Sequence, residues 1–92
     1  MRIIEKQMLA AIEAGTSWQC GNTTVSFTNH GMGIYLHGNL IAFTHDDGEP
    51  MGVDTETLKD YPTKTTCSRL RALGFDVSVK CGVPHLNGKP VI

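Results

Sequence analysis

Long apolar runs are missing from this chain of 92 residues. None, the short stretch Leu40 to Phe43 included, approaches the roughly 18 to 20 residues that a membrane-spanning helix needs, which excludes a transmembrane segment. The opening Met-Arg-Ile-Ile-Glu-Lys lacks the apolar stretch and small-residue cleavage site of a signal peptide, so it reads as a native start and the chain as cytoplasmic. Cysteine is scarce: Cys20, Cys67 and Cys81 cannot all pair with one another, and without a secretory signal they read as thiols in a reducing compartment. No G-x-G-x-x-G or G-K-[ST] pattern occurs, which removes the usual signatures of nucleotide binding. A large excess of charge of one sign is also lacking, the formal net charge being -1.

What is present fits one small domain over residues 1–92. Hydrophobic residues make up 40% of the chain, too many for disorder, and ten glycines are too many for a pure helical bundle. A chain this short buries only about 60 to 65% of its unfolded surface, so a single modest core is the limit. The charge is segregated. Residues 46–60 carry Asp46, Asp47, Glu49, Asp54, Glu56 and Asp60 against Lys59, whereas residues 61–92 carry Lys64, Arg69, Arg71, Lys80 and Lys89 against Asp76.

Between Arg2 and Ala14 the apolar positions Ile4, Met8, Ala11 and Ile12 recur at helical spacing, with Glu5, Lys6 and Glu13 off the stripe and Gly15 placed to end the helix. Period-two alternation then predicts strands around Trp18 and Cys20, Val25 and Phe27, Ile34 to His37, and Leu40 to His45. Asn29-His30-Gly31 marks one turn and Gly38-Asn39 a primed hairpin turn. Asp46 to Pro50 reads as a loop and Met51 to Asp54 as a short edge strand. After Tyr61-Pro62, Thr63 or Thr65 caps a second helix that buries Cys67, Leu70 and Leu73 and ends at Gly74. Phe75, Val77, Val79 and Cys81 alternate as inward residues of a strand, and Asn87-Gly88 turns between two final strands. The expected fold is α+β, an antiparallel sheet (a meander plus a C-terminal hairpin) packed with two helices.

Chemistry is harder to find. Cys81-Gly-Val-Pro-His85 has a ligand-like gap but no second pair to complete a zinc site, and the three cysteines fall on faces read as apolar, where thiols pack inertly. Asp46 and Asp47 are adjacent in a Gly-Pro loop and read as turn formers rather than an acid/base pair. No catalytic residue, metal or cofactor is expected, and the chain reads as a non-enzymatic binder. Its suggestive surface is the second helix, where Lys64, Arg69 and Arg71, extended by Lys80 and Lys89, form a candidate phosphate-binding set. A basic helix face is ordinarily just solvated. Asp46, Asp47 and Glu49 form a candidate acidic contact for a basic protein, and Trp18, Tyr35 and Tyr61 are candidate stacking or anchor residues.

Three stretches, Asn22-Thr-Thr-Val25, Tyr35-Leu-His-Gly-Asn-Leu-Ile-Ala42 and Thr63-Lys-Thr-Thr-Cys-Ser-Arg-Leu-Arg-Ala-Leu73, resemble a family of small proteins of tailed bacteriophages. An N-T-x-V strand, an L-H-G-N-x-I-A hairpin and a T-x-T-T-x-S-R-L-x-A-L helix recur there. The likeness covers roughly residues 22 to 90 and leaves the N-terminal helix as an addition. It implies a phage source and no specific activity. Small phage proteins of this class often inhibit a host machine stoichiometrically, so the expected function is a host-defence inhibitor acting in the bacterial cytoplasm. Its most specific form is an anti-CRISPR that occludes a multi-subunit, RNA-guided surveillance complex, with guide RNA or target DNA facing the cations and protein subunits facing the carboxylates. The alternatives are a small nucleic-acid-binding regulator and a minor virion or assembly protein, the latter adding strands to a partner sheet.

Overall fold

The structure is a computed structural model that describes residues 2–29, 31–44 and 51–91. Helix α1 spans Ile3–Ala14. Its C-terminus closes as expected: Gly15 adopts φ 69, and the amides of Gly15 and Thr16 donate to the carbonyls of Ile12 and Ala11, a Schellman arrangement that satisfies the last free acceptors. Met8 and Ala11 are buried. Glu5, expected off the apolar stripe, is buried as well, because a partner on another helix neutralises it.

Strands β1 (Trp18–Cys20), β2 (Thr23–Thr28), β3 (Gly31–Leu36), β4 (Asn39–Thr44) and β5 (Gly52–Val53) form a five-stranded antiparallel meander in chain order. One inward row, Trp18, Val25, Ile34, Ala42 and Val53, crosses the whole sheet in register. Its three central members are fully buried and set the floor of the core. Between the pairs Ile34/Ala42 and Tyr35/Leu40 the register shifts and leaves Ile41 as an extra residue in β4. This bulge turns Ile41 inward beside Ala42, and both are buried. On the opposite face the Tyr35 ring lies over Gly33 and takes space that a Cβ there would need, while the Phe43 ring lies over Gly52 at ordinary contact distance.

The second half departs from expectation in two respects. A third helix, α2 (Thr55–Asp60), follows β5. It is capped by Asp54, whose carboxylate accepts from the Thr57 amide at 3.0 Å, and is anchored by Leu58, its one buried residue. With a single apolar anchor the helix has no periodicity to read. Helix α3 (Lys64–Ala72) is then capped by Thr63, whose hydroxyl accepts from the Thr66 amide at 3.1 Å. Secondly, β6 (Val77–Lys80), β7 (Val83–Leu86) and β8 (Lys89–Pro90) form their own three-stranded sheet rather than extending the first. It is held to the body by contacts of α3 with β6 and of α2 with β7.

The hairpin turns explain the remaining differences. Asn87-Gly88 forms the expected turn, with positive φ at both residues. The β3–β4 turn is instead His37-Gly38, one residue earlier than the Gly38-Asn39 reading, and the β6–β7 turn is Cys81-Gly82. Both carry positive φ at each central residue, as a type I′ connection requires. Cys81 is therefore an exposed turn residue and not an inward strand residue. Cys20, at the end of β1, is exposed too, so Cys67 is the buried thiol among the three. Val79, read as inward, is 42% exposed.

Candidate functional site

Helical geometry sorts the basic residues of α3. Lys64, Ser68 and Arg71 recur at intervals of four and three and share a stripe, whereas Arg69 falls beside Leu70 and Thr66 on the inner side. That stripe faces the N-terminus of α1, and together they line a groove of about 600 Å³ with Arg2, Lys64 and Arg71 as its cations and Pro62, Cys67, Ser68 and Val79 as its floor and wall. Arg71 is fixed in place by its Nε, which donates to the Val77 carbonyl at 2.7 Å. Its other two guanidinium nitrogens have no hydrogen-bond partner among the described residues. The N-terminal ends of α1 and α3 both border the groove, adding the positive ends of two helix dipoles.

Arg69 is the correction within the candidate set. It is 3% exposed, and its Nη1 donates to Glu5 Oε2 at 2.8 Å while its Nε donates to the Thr23 hydroxyl at 3.0 Å. A guanidinium so enclosed is a structural link between α1, α3 and β2, not a phosphate contact. Glu5 also accepts from Ser68 Oγ at 2.6 Å and from the Arg2 backbone amide at 3.3 Å. Burial is the largest single influence on its carboxyl and pushes the pKa up. The bonds from Ser68, Arg69 and Arg2, with the Arg69 charge, outweigh it and hold Glu5 below its ordinary value. Thr23 passes the network on to Asn22 Oδ1 at 2.9 Å, and the Asn22 amide nitrogen lies 3.5 Å from His37 Nε2.

This pairing matters for the groove. The Glu5 carboxylate adjoins it, bordering a neighbouring depression with Ser68 and Arg71, but Arg69 already balances its charge. Among the described residues, Glu5–Arg69 is the sole salt bridge, and the charges of Arg2, Lys64 and Arg71 stay uncompensated there. The Cys67 thiol at the groove floor has its pKa raised by burial, with Arg71 opposing.

Lys80 and Lys89 lie apart from this groove on the small sheet, Lys80 at the end of β6 and Lys89 beside a depression lined by Thr55, Leu86 and Pro90. The structure thus brings Lys64 and Arg71 together and separates the rest. Arg2 was missed because a residue so distant in sequence carries no local signal of belonging to α3. Asp46, Asp47 and Glu49 lie outside the described residues. Cys81 sits in its turn, and His85 Nδ1 is 2.9 Å from the Val83 carbonyl. Among the described residues, no helix is long and apolar enough to cross a membrane.

The profile of the Kyanoviridae Gp96 protein family matches residues 1–92. The chain belongs to this phage family. The match takes in α1, so the N-terminal helix is not an addition outside the family's extent. Comparison with curated proteins and with solved structures gave no match.

Proposed function

We propose that this phage protein acts without catalysis, in the host cytoplasm, by binding a nucleic-acid-bearing host machine through the Arg2, Lys64 and Arg71 groove. The observation that carries the reading is the convergence of these cations on one groove whose lining, among the described residues, includes no carboxylate. A phosphate backbone suits such a groove: cations that neutralise its phosphates release condensed counterions, and two helix N-termini add to the field. In its most specific form the protein is an anti-CRISPR inhibitor that occludes a multi-subunit surveillance complex and blocks target DNA binding. The acidic residues Asp46, Asp47 and Glu49 then meet basic protein subunits, and Lys80 and Lys89 contribute a second, weaker basic surface. The same groove also supports a small nucleic-acid-binding regulator.

A tagged copy and its Lys64→Glu/Arg71→Glu variant, purified from an infected host with and without nuclease, separate the two. Guide RNA and surveillance-complex subunits recovered with the native groove and lost with the variant support the inhibitor. Heterogeneous nuclease-sensitive nucleic acid alone supports the regulator. Recovery of neither, with host interference unchanged by the protein, discards both.

A further inference from the structure

A second cavity, of about 200 Å³, lies where the β3–β4 hairpin meets the end of α2 and the start of α3. Its floor is the buried pair Leu36 and Ile41, and its rim includes His37, Asn39, Thr57 and Tyr61. Tyr61 is 51% exposed, an unusual state for so large a ring in a small protein. We propose that this cavity takes an unstacked nucleobase of the strand whose phosphates occupy the cationic groove, which makes the protein a selective binder of single-stranded nucleic acid.

Two observations carry the step. The first is the chemistry of the cavity. A dry cavity of roughly 150 Å³ is large enough for a benzene ring, so the volume here suffices for a single flat ring. The apolar floor suits the ring faces, the Asn39 amide offers both donor and acceptor to a base edge, and Tyr61 offers a stacking plane. The second is adjacency. Tyr61 and Thr63 line the cavity, while Pro62 and Lys64 line the groove, so the two sites lie on opposite sides of one short ridge of backbone. The Thr63 amide donates to the Tyr61 carbonyl at 2.8 Å, and the Thr63 hydroxyl caps α3, which fixes the ridge to the helix. A strand crossing this ridge places a base on one side and phosphates on the other. A duplex does so only by flipping a base out of its stack, which costs a few kcal/mol.

This inference rests on the groove reading and adds to it the kind of nucleic acid bound. Fluorescence anisotropy with labelled DNA and RNA single strands of about 12 nucleotides, their abasic equivalents and the matching duplex tests it on the full chain. Intact single strands are expected to bind at least about tenfold more tightly than abasic strands or duplex, the scale of one base–aromatic stack. Tyr61→Ala is expected to narrow the gap between intact and abasic strands, and Tyr61→Phe to retain it. Equal affinity for intact and abasic strands overturns the base site and leaves the groove standing. This comparison needs no variant. Wild-type protein that binds no oligonucleotide at low salt overturns the groove and the base site together. A preference for acidic peptide over every oligonucleotide overturns both in favour of a protein partner.

Discussion

Arg69 Nη1 and Glu5 Oε2 lie 2.8 Å apart, with both side chains buried, and join the first turn of α1 to the last turn of α3. The pair also separates two functions that the sequence merges on one helix. By occupying Arg69 with Glu5, the fold withdraws one cation into the core and neutralises a carboxylate that adjoins the groove. Among the described residues, Arg2, Lys64 and Arg71 are then the charged side chains that line it.

Breaking that pair leaves a buried charge without its partner. Arg69→Met or Glu5→Ala is expected to lower stability by about 3 to 5 kcal/mol, read from denaturant unfolding midpoints. The double variant Glu5→Ala/Arg69→Met, with neither charge left behind, is expected to lose less than the sum of the two. Additive losses would falsify the coupling.

The pair also sets a pH dependence. The pKa of Glu5 is lowered on folding, so its contribution is fully present above the ordinary carboxyl value of 4.5 and is lost as pH falls through the lower folded value. The stability gap between wild type and Glu5→Gln is therefore expected to be widest near neutral pH and to shrink below about pH 4. Unfolding titrations across that range measure it, and a gap that widens on acidification contradicts the assignment.

Turn chemistry offers a gain rather than a loss. Cys81 holds φ 51 ahead of Gly82, a conformation that asparagine tolerates better than most residues. Cys81→Asn is expected to raise stability by about 0.5 to 1 kcal/mol, seen as a higher unfolding midpoint. No change, or a decrease, would show that the thiol makes a compensating contact.

The thiols divide by burial. Cys20 and Cys81 are exposed, whereas Cys67 is 2% exposed and its pKa is raised. A thiol-reactive dye is expected to label Cys20 and Cys81 rapidly in the native protein, and Cys67 only at the rate of opening or unfolding. Mass spectrometry of the labelled sites distinguishes them, and rapid native labelling of Cys67 contradicts its burial within α3.

Much of the fold was legible because its signals are local. Gly15 ends α1, Thr63 starts α3, and the alternation around Val25 and Ile34 marks the sheet. Helix α2 was hidden because Leu58 is its one buried residue and acidic side chains surround it. The I′ turns at His37-Gly38 and Cys81-Gly82 begin with residues that give weaker turn signals than Asn, so one turn was read a position late and the other as strand. For the site, the interval from Lys64 to Ser68 to Arg71 was already a readable stripe, and the same wheel puts Arg69 on the inner side. The contribution of Arg2 was not readable, since only the packing of α1 on α3 places it there.

The central claim is that a phosphate backbone occupies the Arg2, Lys64 and Arg71 groove, and the salt dependence of single-strand binding tests it most directly. The logarithm of the binding constant is expected to fall with the logarithm of salt concentration by roughly 0.7 per phosphate neutralised, about 2 for the three cations together. Lys64→Glu/Arg71→Glu is expected to flatten that slope by at least about 1.4 and to weaken binding. The same slope in wild type and variant, or no binding by wild type at low salt, contradicts the account.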